Sequence, residues 1–249
     1  MKTRGEELFC EFLARKGIAF RYELTMTDKR RRPDFAIDWH GVDCFFDVKD
    51  RQQIDLPLWT VEAAAQQGAR NLLQEREPPY RWLRNKIEKG RAKFAEYKGA
   101  PCALVMFASS GFSSDFDHPG FMLGAMYGDY AVQFPADGGE ERFVLLENGK
   151  MISPHTGAAQ NTTISALITL RILDLAAAER RRRHRRLSVT AGEGVASQLG
   201  VIVWDNIFAT TPLPSDLFRG PFDERWSGDG YGFRRCYVGD GLIEYGIGE

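Results

Sequence analysis

"RPDFAIDWHGVDCFFDVKD", Arg32 to Asp50, reads as a β-hairpin that turns at His40-Gly41. Most of it is Phe, Ile, Val and Trp, yet it carries acids at Asp34 and Asp47 and a lysine at Lys49. Asp and Lys are poor strand formers, and burying either without a partner is costly. A turn at His40-Gly41 sets Asp34 opposite Asp47 and Arg32 opposite Lys49. Strand side chains alternate between faces. Asp34, Asp47 and Lys49 therefore project together from one face, while Phe35, Ile37, Trp39, Cys44, Phe46 and Val48 point to the other.

Two facing carboxylates repel unless a proton or a cation lies between them. A hard divalent ion with oxygen ligands suits such a pair and keeps positions open for water and a phosphate. An ammonium beside it orients or deprotonates an attacking water, or stabilises charge building on a phosphate. The cluster has the chemistry of a phosphodiesterase site.

Outward from the hairpin, Glu6 to Lys16 is predicted as an amphipathic helix with Leu8, Phe9, Phe12 and Leu13 on one stripe, stopped by Gly17. Ile18 to Leu24 alternates as a strand. Thr60 to Arg76 and Tyr80 to Lys98 read as helices separated by Pro78 and Pro79, and "PCALVMFA", Pro101 to Ala108, as a buried strand. The element order to this point is α-β-β-β-α-β. Beyond it we expect a hairpin in "RFVLLENGKMIS" turning at Asn148-Gly149, a long helix from Thr163 to about Arg186, a strand over Gly200 to Asn206 and a hairpin at Asp240-Gly241. Trp204 to Trp226 reads as a loop packed over the core by its aromatics.

The 249 residues, 43% of them hydrophobic, suffice for one large domain or two small ones, and the formal net charge of −1 leaves any basic face to be local. Cys10, Cys44, Cys102 and Cys236 lie far apart without metal-ligand spacing, so buried free thiols in a reducing compartment are expected. With no apolar run of signal or membrane-span length, the expected location is cytoplasmic.

Pro33-Asp34, thirteen residues before Asp47-Val48-Lys49, resembles the PD-(D/E)XK nuclease superfamily, the restriction-endonuclease-like fold. The resemblance covers roughly the first 108 residues. It implies an α/β fold with a mixed central sheet flanked by helices; the lack of a repeat or low-complexity linker favours one extended domain, a core at 1–110 with a C-terminal elaboration at 111–249 packed on it. It also implies a metal-dependent cut in a nucleic-acid backbone. Asp34 and Asp47, with the Val48 carbonyl, would bind Mg²⁺ or Mn²⁺, and Lys49 would serve the water. DNA is the expected partner, with RNA left open, no membrane, and a homodimer as a further assembly.

Many members of that superfamily add a glutamate from the first helix. Glu6 lies beside the apolar stripe and Glu7 opposite its centre, so Glu6 is the candidate; an acid that complements the helix N-terminus is the plainer reading. For phosphate contacts, Arg31 and Arg32 lead into the acidic cluster. Lys86, Lys89 and Lys93 recur at helical spacing on one face, a pattern that a solvated helix face explains as well. "ERRRRHRR", Glu179 to Arg186, either grips nucleic acid or complements a helix C-terminus. His118 and His155 lack partners at ligand spacing. Two other functions fit parts of the pattern: a non-catalytic nucleic-acid-binding module, and a metal-dependent hydrolase of small phosphates, which requires a closed pocket.

Overall fold

The computed structural model describes residues 2–23, 32–51, 79–108, 116–128, 130–133, 142–145, 149–153, 156–175, 197–228 and 233–245. Helix α1 (Arg4–Arg15) precedes strands β1 (Arg21–Tyr22), β2 (Phe35–Trp39) and β3 (Val42–Arg51). Helix α2 (Pro79–Phe94) and strand β4 (Cys102–Ala108) follow, then helix α3 (Pro119–Tyr127) and the short strands β5 (Tyr130–Gln133) and β6 (Arg142–Leu145). Strands β7 (Ala166–Leu173), β8 (Gln198–Asp205), β9 (Glu224–Gly228) and β10 (Phe233–Val238) lead to helix α4 (Asp240–Tyr245).

Among the described residues the principal sheet has eight strands in the order β1-β2-β3-β4-β7-β8-β9-β10. It is mixed: β1, β2 and β3 are antiparallel, β3-β4 and β4-β7 are parallel, and the antiparallel β7-β8 pair is followed by parallel β8-β9 and antiparallel β9-β10. A parallel step from β3 to β4 requires a long crossover, and α2 belongs to it. Strand β4 lies between two parallel neighbours with all seven residues buried, as its unbroken apolar run demands.

Each face of the sheet has its own core. Leu8, Phe9, Phe12 and Leu13 of α1 pack against Phe35, Phe46, Val48, Val105, Ile168 and Val203. On the opposite face Leu83, Ile87 and Phe94 of α2 and Met122 and Met126 of α3 cover Phe45, Leu104, Met106, Leu167 and Trp204. Both cores mix residues from before and after Ser110. Leu213, Leu217 and Phe218 join the first, so the segment after Trp204 does pack by its apolar side chains.

Three expectations are corrected. Ala166–Leu173 is a strand and not part of a helix: "ALITLRIL" is buried at every position but Ile172, a central-strand pattern that periodicity alone cannot distinguish from a buried helix. Its β-branched Ile168, Thr169 and Ile172 favour the strand. Arg142–Leu145 pairs with Tyr130–Gln133 and not across Asn148-Gly149. Asp240-Gly241 opens α4, while the hairpin partners are β9 and β10. The predicted helix at 60–76 and the basic run at 179–186 lie outside the described residues. All four cysteines are free, but only Cys44 and Cys102 are buried and Cys236 is exposed.

The register of the second half depends on a close backbone approach. A Cβ at Gly200 would stand 2.1 Å from the Phe222 carbonyl oxygen, a contact that no rotamer change relieves. Gly200→Ala is therefore expected to cost stability at the upper end of overpacking, about 3 kcal/mol. Denaturant unfolding reads this directly; an unchanged midpoint would mean that β8 does not lie against the segment leading into β9 as described.

Candidate active site

Asp34 stands immediately before β2 and Asp47 lies within β3. The hairpin pairs Phe35 with Phe46 and Trp39 with Val42, the register expected for a turn at His40-Gly41, both of which adopt positive φ. Asp34 and Asp47 are therefore neighbours across two antiparallel strands. Their face is the one covered by α2, since Phe45 and Ala36 belong to the α2 core while Phe46, Val48 and Phe35 belong to the α1 core.

Asp47 is fully buried. One oxygen, Oδ1, accepts a short hydrogen bond from the Lys93 ammonium. The other, Oδ2, forms an ion pair with Lys49 that is close but not aligned as a hydrogen bond, so this buried oxygen accepts none. Asp34 accepts the Val48 N–H at Oδ2 (2.7 Å) and Lys93 at Oδ1 (3.0 Å). Because β2 begins at Phe35, the Val48 N–H has passed the last paired β2 residue, and the carboxylate satisfies it instead. The cation that sequence reasoning required between the acids is thus supplied, within the chain, by Lys93.

The two acids titrate in opposite directions. Burial, followed by the Asp47 charge, pushes the Asp34 carboxyl up to about 6 despite Lys93. Burial would also raise Asp47, but Lys49 and Lys93, with a hydrogen bond from Asp34, outweigh it and hold that carboxyl below its ordinary value. Lys93 is lowered by burial and raised more strongly by Asp47 and Asp34, so it stays protonated. Lys86 is lowered, chiefly by burial and then by Lys49 and Lys89. Its ammonium lies 5.2 Å from the Trp82 ring centroid.

Two positions differ from a simple solvated helix face. Lys89 is exposed, but Lys86 and Lys93 are half-buried, and Lys93 is turned inward onto the acids. Gly90, one turn earlier, explains how α2 comes so close: a Cβ there would meet the Leu104 side chain at 2.7 Å. Arg32 is exposed, with its charge felt at Tyr97, and Arg31 lies outside the described residues. Val48 turns its side chain to the α1 core, so only its main chain is available to the site.

Glu6 serves the start of α1. It accepts the Thr3 N–H (2.7 Å) in a capping box with Thr3 and receives the Tyr22 hydroxyl at 3.3 Å. The signal was readable in Thr3-x-x-Glu6. A residue without a sequence assignment, Asp50, accepts the Gly5 N–H (3.0 Å) and so ties the α1 terminus to β3. Gly5 itself is close-packed, since a Cβ there would lie 3.1 Å from Val48. His118 caps α3, accepting the Gly120 N–H, and His155 lies outside the described residues.

Among the described residues no group of three or more His, Cys, Asp or Glu side chains is placed to hold a metal ion. The Asp34–Asp47 pair nevertheless fits Mg²⁺ or Mn²⁺. Mg²⁺ is commonly held by one or two carboxylates with water and phosphate completing its shell. Asp47 Oδ2 is a buried oxygen that accepts no hydrogen bond, and both acids already require a cation. No helix among the described residues is long and apolar enough to cross a membrane. No family model matches the chain, no curated protein matches it, and no solved structure matches its fold.

The opposed titrations have separate signatures. A raised folded-state pKa contributes stability at low pH that is lost as pH rises from the ordinary value of 3.8 through about 6, so burying Asp34 costs more at pH 8 than at pH 5. Asp34→Asn should therefore melt higher relative to wild type at pH 8 than at pH 5. The depressed Asp47 contributes stability that is lost only as pH falls through its own lowered pKa. Asp47→Asn strands two lysines and should cost about 1–3 kcal/mol, with a weaker pH dependence than Asp34→Asn because it removes only the Asp47 share of the Asp34 shift. Thermal melts of both variants at the two pH values check this, and matching pH dependences would remove the distinction between the acids.

Proposed function

We propose that this chain is a metal-dependent endonuclease that hydrolyses phosphodiester bonds of DNA, built on a restriction-endonuclease-like core. The observation that carries the proposal is the junction of β2 and β3: two neighbouring carboxylates, one fully buried, with the lysine two residues later paired to the second. The α1-β1-β2-β3-α2-β4 order, with β3 and β4 parallel, supports the same reading.

In this reading Asp34 and Asp47 would hold Mg²⁺ or Mn²⁺, with the Val48 carbonyl as a third oxygen. Such an ion would supply Lewis acidity at a phosphoryl oxygen and make a water more acidic. Lys49 is ion-paired with Asp47, two residues along the same strand face. There it orients the attacking water or stabilises charge on the phosphate. Lys86, near enough to Lys49 to feel its charge, and the exposed Arg32 would take the flanking phosphates, along with Arg31. Glu6 is already committed to the α1 cap and is given no catalytic role.

One observation favours a second reading. Lys93 already compensates both acids, which is what a non-catalytic nucleic-acid-binding module on this fold would require. Incubation with DNA and RNA substrates in Mg²⁺ or Mn²⁺ separates the two. The nuclease reading expects cleavage of DNA that chelation abolishes and that Lys49→Ala slows by about 10² to 10⁴ fold. Binding without cleavage in any divalent ion would establish the module instead.

A further inference from the structure

We propose that Lys93 is a tethered counter-ion occupying the place of the divalent cation, and that an ion arriving between Asp34 and Asp47 must displace it. The proposal rests on the nuclease reading and deepens it, because it concerns how that site is loaded.

The argument is one of shared atoms. Asp34 Oδ2 already accepts the Val48 N–H, which leaves Oδ1 as the more open oxygen of Asp34 for a cation, and Lys93 takes it at 3.0 Å. The same ammonium takes Asp47 Oδ1. A divalent ion held by both acids would draw on the same Asp34 oxygen that Lys93 holds, and two cations side by side on it would repel. Charge points the same way. With Lys49 and Lys93 the two acids are already neutralised, and adding a divalent ion while keeping both ammoniums would leave a half-buried site strongly cationic.

Lys93 is also placed to leave. It sits in the last turn of α2, its side chain is 20% exposed, and it shares a helix face with Lys86 and the exposed Lys89. An ammonium released from the acids joins that row, where an incoming phosphodiester would find an added positive charge. Metal and phosphate would then favour each other's arrival, with Lys93 as the link.

Mn²⁺ binding, followed by electron paramagnetic resonance on wild type, Lys93→Met and Asp47→Asn, tests this without reference to cleavage. Methionine keeps an unbranched chain and removes the charge. Lys93→Met is expected to bind Mn²⁺ at least about tenfold more tightly than wild type, a shift of about 1.4 kcal/mol, and Asp47→Asn to lose binding. If wild type binds Mn²⁺ and Lys93→Met binds it no better, Lys93 is not a competitor and this inference fails alone. If neither binds, the metal-dependent reading falls and takes the inference with it.

A second measurement needs no variant. Amine acetylation of wild type, read by peptide mass spectrometry against the exposed Lys98, should show Lys93 protected without metal and several-fold more reactive as Mn²⁺ saturates. Binding of Mn²⁺ with no change in Lys93 labelling would also overturn the inference.

Discussion

Two carboxylates set side by side on a buried sheet face are the constraint around which this fold is arranged. Unit charges about 4 Å apart in an environment of effective dielectric about 20 repel by roughly 4 kcal/mol, a large part of a domain's net stability. The structure meets that repulsion with Lys49 from the same strand, Lys93 from the covering helix and the Val48 N–H. Each has a consequence beyond the site. Lys93 reaches Asp34 and Asp47 because Gly90 lets α2 lie close against Leu104, and Val48 is free to donate because β2 ends its pairing at Phe35.

The remainder of the sheet supports this hairpin from the far side. Strand β4 places its buried run beside β3, and β7 and β8 extend the same surface. Charges inside the second half are closed off by partners: Arg171 with Glu224, Arg225 bidentate to Asp205, and Lys16 of the first helix with Asp223. That last pair ties the end of α1 to the segment entering β9. The acids beside Lys93 differ in that two carboxylates share one ammonium, and one buried oxygen is left without a hydrogen bond.

What could be read from the sequence followed from strong local patterns. The hairpin register was legible because apolar alternation on one face and His40-Gly41 at the turn admit a single pairing, and that pairing brings Asp34 and Asp47 together. Strand β4 was legible as an apolar run of strand length. The failures came where local pattern was ambiguous. Ala166 to Leu173 is buried almost throughout, so periodicity does not separate strand from helix there, and its pairing with β4 and β8 confirms what its β-branched residues favour. Lys93 was read with Lys86 and Lys89 as one basic face, because helical spacing says which residues share a side and not how far that side is buried. Glu6 was drawn toward the site by the resemblance, although Thr3-x-x-Glu6 already carried the capping signal.

The central claim is that Asp34 and Asp47 form a cation site for which a divalent ion and Lys93 compete. Anomalous diffraction from crystals soaked in Mn²⁺ tests it most directly. The account predicts one strong peak within ligand distance of Asp34 Oδ1 and of Asp47, about 2.0–2.3 Å, with the Lys93 ammonium turned away from both. Soaked crystals with no peak at that position and Lys93 still bridging the two carboxylates would contradict it.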